Sequence, residues 1–137
     1  DALKSCGKTL RRGRISLLGI CQASNIKSSP LKIVIELTKI LEARGAKVSL
    51  YDPYFSSDER AEIQHPVKRN LAEAVEGADC ILILAEHEQF KRLNLKKLKV
   101  MMRMPAAIVD FKGIIEPNEI EKEGFIYRGF GRGVWKK

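Results

Sequence analysis

Cysteine is scarce: Cys6, Cys21 and Cys80 are an odd three, with no C-x-x-C spacing. That excludes a zinc site built on cysteine pairs and a disulfide framework, and it fits a reducing compartment in which each thiol packs as a small apolar group. No metal site is expected. Long apolar runs are missing too; none approaches the roughly 20 residues that a membrane-spanning helix needs. The opening Asp1-Ala2-Leu3-Lys4 carries neither an initiating Met nor a secretion-signal pattern, as expected of a trimmed piece of a cytoplasmic chain. Glycine-rich phosphate turns are absent as well. Gly19 is followed by Ile20-Cys21-Gln22-Ala23-Ser24-Asn25, without the second and third glycines of G-x-G-x-x-G. Gly7-Lys8-Thr9 precedes an apolar strand instead of following one. A dinucleotide turn and a P-loop are therefore excluded. So is a receiver-type phosphorylation pocket, because no paired acids follow the first strand.

What is present is an ordinary globular balance, 45% apolar and 31% charged over 137 residues, enough for one domain with its own core. The formal charge of +8 would suit nucleic acid, a membrane surface or anionic small molecules. Its clusters lie at Lys8–Arg14 and Lys91–Lys99, and the second alternates lysines with leucines as the wet face of an amphipathic helix does. A solvated face accounts for it, and no nucleic-acid or membrane partner is expected.

The chain alternates strand and helix signals. Residues 1–10 place Ala2, Leu3, Cys6 and Leu10 on one helical stripe, and Ile15–Ile20 reads as a short buried strand. Ser28-Ser29-Pro30 opens a helix with a serine cap and proline at its first position. Ile33, Leu37, Ile40 and Leu41 continue it, and Gly45 stops it. Val48–Tyr51 is the next strand, and Val67 a short third one. Helix 71–77, the continuous apolar strand Cys80–Ala85, helix 93–102, strand Ala106–Asp110, helix 117–123 and strand Phe125–Tyr127 follow. Unbroken apolar strands suit a parallel sheet covered on both faces. The expected fold is α/β: a Rossmann-like, doubly wound, mostly parallel sheet of about six strands.

Ligands of such sheets sit beyond the carboxyl ends of the strands. The residues there are Gly19–Ser29, Asp52–Tyr54, Glu86–His87 and Asp110–Gly113. The segment Ala23–Pro30 is small, polar and placed at a helix start, which makes an anion site of free N–H groups with Lys27 beside it. Lys27 and Lys112 either converge on that anion or are simply exposed. Asp52 is expected to cap the Asp-Pro turn, and His87, a lone loop histidine, to be structural. Trp135, Tyr127 and Phe130 are expected to close the core.

Taken in order, the segments resemble the C-terminal, UDP-binding domain of the nucleotide-sugar 6-dehydrogenases, the UDP-glucose and UDP-N-acetylmannosamine enzymes. The resemblance is carried by Ile15–Ile20, Lys27-Ser-Ser-Pro30, Gly45–Val48 leading into Tyr51-Asp52-Pro53-Tyr54, Gly77–Leu84 leading into Glu86-His87-Glu88-Gln89-Phe90, Val109-Asp110-Phe111-Lys112, and Tyr127–Gly133. It implies that residues 1–12 are the tail of an inter-domain helix and 13–137 the UDP-sugar-binding domain. It implies UDP contacts at Gly19, Cys21, Gln22, Ala23, Lys27 and Lys112. The family's first loop is longer and holds a Phe-Lys pair, and its two phosphate-contacting arginines stand here as Lys27 and Lys112, point charges in place of forks. The resemblance further implies NAD bound by a separate N-terminal domain, a homodimer or higher assembly, and oxidation of the sugar C6 alcohol to a carboxylate. The family's catalytic cysteine lies in a Cys-x-x-Lys-Asp motif that this chain lacks, so no catalytic residue is expected here and the chain alone should be inactive. The alternative is a non-catalytic nucleotide-binding or assembly module derived from that family.

Overall fold

The computed structural model describes residues 7, 9, 11–20, 32–54 and 67–129. The expected helix over 1–10, the Ser28–Pro30 helix start and the closing aromatics Phe130 and Trp135 lie largely or wholly outside them.

Five strands form one sheet: β1 (Arg14–Leu18), β2 (Lys47–Tyr51), β3 (Cys80–Ile83), β4 (Ala107–Asp110) and β5 (Ile126–Gly129). Their order is β2-β1-β3-β4-β5, and every pair is parallel. The helices are α1 (Lys32–Ala43), α2 (Leu71–Val75), α3 (Glu88–Lys91), α4 (Leu95–Met101) and α5 (Pro117–Lys122). The Rossmann-like reading is correct in class. The expected third strand at Val67 is a single parallel bridge to Leu50, extended by one bond from the Lys68 N–H to the Leu50 carbonyl (2.8 Å), so the described sheet has five strands rather than six.

Alternation within apolar strands sends side chains to two cores. Ile15, Leu17, Cys80, Leu82 and Val109 join Val48 and Leu50 on the face that α1 covers. Leu18, Ile81, Ile83 and Ile108 meet Val75, Phe90, Leu98 and Ile120 on the other. Each fully buried leucine or isoleucine contributes about 1.5–3 kcal/mol, so a strand slipped by one residue would exchange the two sets and lose both cores. Ser16 shares the second face without penalty because its hydroxyl donates to the Ala74 carbonyl.

In α1, Val34, Leu37, Thr38 and Leu41 recur at helical spacing toward the sheet, while Ile33 and Ile40 face out. The Thr38 hydroxyl donates back to the Val34 carbonyl (2.8 Å). The helix ends where the sequence says it must. Gly45, at φ +93°, donates to Glu42, and Ala46 donates to Leu41, a Schellman closure. The chain then enters β2 in register with β1, Arg14 beside Lys47.

From β1 the chain crosses to β2 on one side, then returns past β1 to β3 on the other. The strand order thus reverses between β1 and β3, and their carboxyl ends define the crevice of the sheet.

Candidate functional site

The crest of the sheet is assembled from the turns that leave β1, β2, β3 and β4. β1 ends at Gly19, whose N–H donates to the Tyr51 carbonyl (2.8 Å). Gly19 sits at φ +106°, a region glycine tolerates and other residues rarely adopt. It is also the only residue that fits: a Cβ there would lie 2.6 Å from the Ala85 Cβ and 2.8 Å from the Ala85 nitrogen. The β1 and β3 turns therefore touch backbone to backbone.

The turn after β2 carries the junction of the crest. Asp52, buried, accepts the Tyr54 N–H on Oδ1 (2.7 Å), which is the Asp-Pro cap read from the sequence. Its Oδ2 does more: it accepts the Ile20 N–H (2.7 Å) and lies 2.9 Å from His87 Nε2. One carboxylate thereby links the ends of β1, β2 and β3. Both side chains of the Asp52–His87 pair are wholly buried. His87 occupies the N-cap position of α3 yet makes no side-chain cap bond there. Its ring instead crosses to Asp52, held between Tyr54 (centroids 4.8 Å) and Phe90 (5.4 Å). His87 is buried and bonded, and its partner is what the sequence reading missed. The available signal was that Asp52 and His87 both follow strands of one parallel sheet.

A second tie runs between the same segments. The Tyr51 hydroxyl donates to Gln89 Oε1 (2.7 Å), and the ring packs edge-on against Phe90. Burial pushes the Tyr51 phenol above its ordinary 10.0, and the nearby Asp52 carboxylate adds to the rise.

After β4, buried Asp110 folds the chain around itself. Oδ1 accepts the Lys112 and Gly113 N–H groups (3.1 and 2.8 Å), and Oδ2 accepts Ile115 (3.0 Å). The turn fixes the backbone of Lys112 one strand beyond β3 and leaves its side chain exposed. Of the residues assigned to nucleotide binding from sequence, Gly19 and Lys112 stand at the same end of the sheet. Cys21, Gln22, Ala23 and Lys27 lie outside the described residues. Cys80, by contrast, is buried in the α1-side core, away from the crest. Among the described residues no group of three His, Cys, Asp or Glu side chains could hold a metal ion, and no helix is long and apolar enough to cross a membrane.

The sequence comparisons with known proteins point to one group. A sequence model described as the UDP-glucose/GDP-mannose dehydrogenase family, UDP binding domain, matches residues 23–117. The UDP-N-acetyl-D-mannosamine dehydrogenase of Methanococcus maripaludis is 33% identical over 138 aligned positions, covering 97% of this chain and 30% of the relative. The UDP-glucose 6-dehydrogenase of Rhizobium meliloti is 30% identical, covering 95% of this chain and 30% of its own length. The chain thus spans about a third of these curated relatives. Among solved structures, an NDP-N-acetyl-D-galactosaminuronic acid dehydrogenase from Methanosarcina mazei superposes with a TM-score of 0.87 at 27% identity, over 96% of this chain and 27% of that one.

Proposed function

Because the chain belongs to the UDP-glucose/GDP-mannose dehydrogenase family, as its C-terminal UDP-binding domain, we propose that the β1/β3 crest holds the nucleotide of a UDP-sugar for an NAD-dependent 6-dehydrogenase. The observation that carries this reading is the family match over residues 23–117, on a sheet whose described exits at Gly19 and Lys112 share one carboxyl end.

In this reading residues 13–137 are the substrate domain and 1–12 the tail of the helix that joins it to the rest. Backbone groups of Gly19, Cys21, Gln22 and Ala23 hold the nucleotide, and Lys27 and Lys112 neutralise the diphosphate. Lys112 suits that task because Asp110 fixes its backbone at the crest while its ammonium stays in solvent. The substrate is UDP-glucose or UDP-N-acetylmannosamine, and the complete protein converts the C6 alcohol to a carboxylate as a cytoplasmic homodimer or larger assembly.

NAD belongs to another part of that longer protein. What supports this is the sequence after β1, where Gly19 is not followed by the second and third glycines of a dinucleotide turn. The chain on its own is therefore expected to bind without catalysing.

Calorimetric titration of the chain with UDP, with NAD as the control ligand, tests the reading. Saturable binding of UDP alone is expected, and the absence of UDP binding at millimolar concentration would remove it. Replacing Lys112 by alanine should weaken UDP about tenfold, the scale of one charge-assisted contact, and leave the melting temperature unchanged. An unaltered affinity would take Lys112 out of the site.

A further inference from the structure

Asp52 Oδ2 receives two donors at once, the Ile20 amide at 2.7 Å and His87 Nε2 at 2.9 Å. Ile20 follows Gly19 at the carboxyl end of β1, so the carboxylate holds the exit of that strand. His87 fixes the carboxylate in turn, and is itself fixed by Tyr54 and Phe90 on its flanks. Its local alternative, capping α3, is left unused. A buried carboxylate with one strong donor removed would rotate toward the remaining ones, and the Ile20 amide would follow or lose its partner.

We propose that His87 and Asp52 are positioning residues for a nucleoside diphosphate: His87, acting through Asp52, holds the Gly19–Ile20 exit of β1, the described end of the nucleotide site. The proposal rests on the UDP-binding reading above. It assigns no contact between His87 and ligand. It places the control of affinity in a side chain that follows β3, 67 residues after Ile20 (87 − 20).

Three variants of the chain test it: His87→Phe, which retains a ring between Tyr54 and Phe90 without a donor; His87→Gln, which restores a donor; and Asp52→Asn, which keeps the shape and removes the charge. UDP affinity is measured by calorimetry well below each melting temperature, and hydrogen exchange is followed at the Ile20 amide. In H87F, UDP should bind about tenfold more weakly and Ile20 should exchange at least tenfold faster, with both effects largely reversed in H87Q. D52N should weaken UDP at least threefold, which keeps the test open if H87F fails to fold. A purely structural role predicts a lower melting temperature with unchanged UDP affinity in folded H87F or D52N, and that result overturns the proposal. So does an affinity in H87Q no better than in H87F. A wild-type chain that binds no UDP removes the nucleotide reading and this proposal together. A wild-type chain that binds, beside an H87F chain that binds equally well, removes the proposal alone.

Discussion

Replacing Gly19 by alanine should be among the most damaging single-methyl changes this domain can receive. Two effects add. An L-residue at φ +106° is strained by about 1–2 kcal/mol. The new Cβ would also meet the Ala85 Cβ at 2.6 Å, and reaching an ordinary contact of 3.4 Å requires the β1 and β3 turns to separate by 0.8 Å (3.4 − 2.6). Neighbouring bonds resist that movement, because the Gly19 and Leu84 N–H groups each donate across adjacent strand ends at 2.8 Å. Overpacking of this kind costs about 1–3 kcal/mol, giving a total near 3 kcal/mol. With an unfolding entropy of about 2.1 cal/mol/K per residue, the chain should melt about 10 °C lower. Thermal and urea denaturation followed by circular dichroism would measure it. Adding Ala85→Gly removes the Cβ contact but not the approach to the Ala85 nitrogen at 2.8 Å, nor the backbone strain, so about 1 kcal/mol should return. A loss below about 1 kcal/mol for G19A, or complete recovery in G19A/A85G, would refute the reasoning.

Asp110→Ala deprives the Lys112, Gly113 and Ile115 amides of their acceptor and should cost about 3 kcal/mol by urea denaturation; a variant as stable as wild type would show that water replaces the carboxylate. Tyr51→Phe should cost about 1 kcal/mol at neutral pH through the lost bond to Gln89. The phenol ionises near pH 10 in the unfolded chain and higher in the fold, so its contribution is complete below pH 10 and declines as pH rises above it. The stability gap between wild type and Y51F should therefore narrow above pH 10, and a gap that widens there would contradict the raised value.

Much of this architecture is written locally. The run Cys80–Ile83 is apolar without alternation because both faces of its strand are covered, and the Gly45 stop needs only the last turn of α1 to be understood. Where pairing depends on the whole sheet, sequence says less. Val67 has the side chain of a strand residue but forms one bridge, since a single bond from Lys68 carries the pairing no further. α3 is one turn long, too short for helical periodicity to register, and it is held by Phe90 in the core. The Asp-Pro turn announced a cap, yet the same carboxylate's bond to His87 spans 35 positions and exists only because β1, lying between β2 and β3, brings both of their exits together. The exposed Lys112 was legible as a residue at the crest, while the Asp110 turn that carries it required the three amide distances.

The Val67–Lys68 bridge has a consequence for how the protein behaves in crowded solution. β2 is an outer strand of an open sheet, and a bare outer strand offers unpaired amides and carbonyls on which another molecule's strand can grow. Here the Leu50 carbonyl is already taken by Lys68, and Val67 lies beside Leu50 near the carboxyl end of β2. A strand added at the carboxyl end of that edge would first have to displace this bridge.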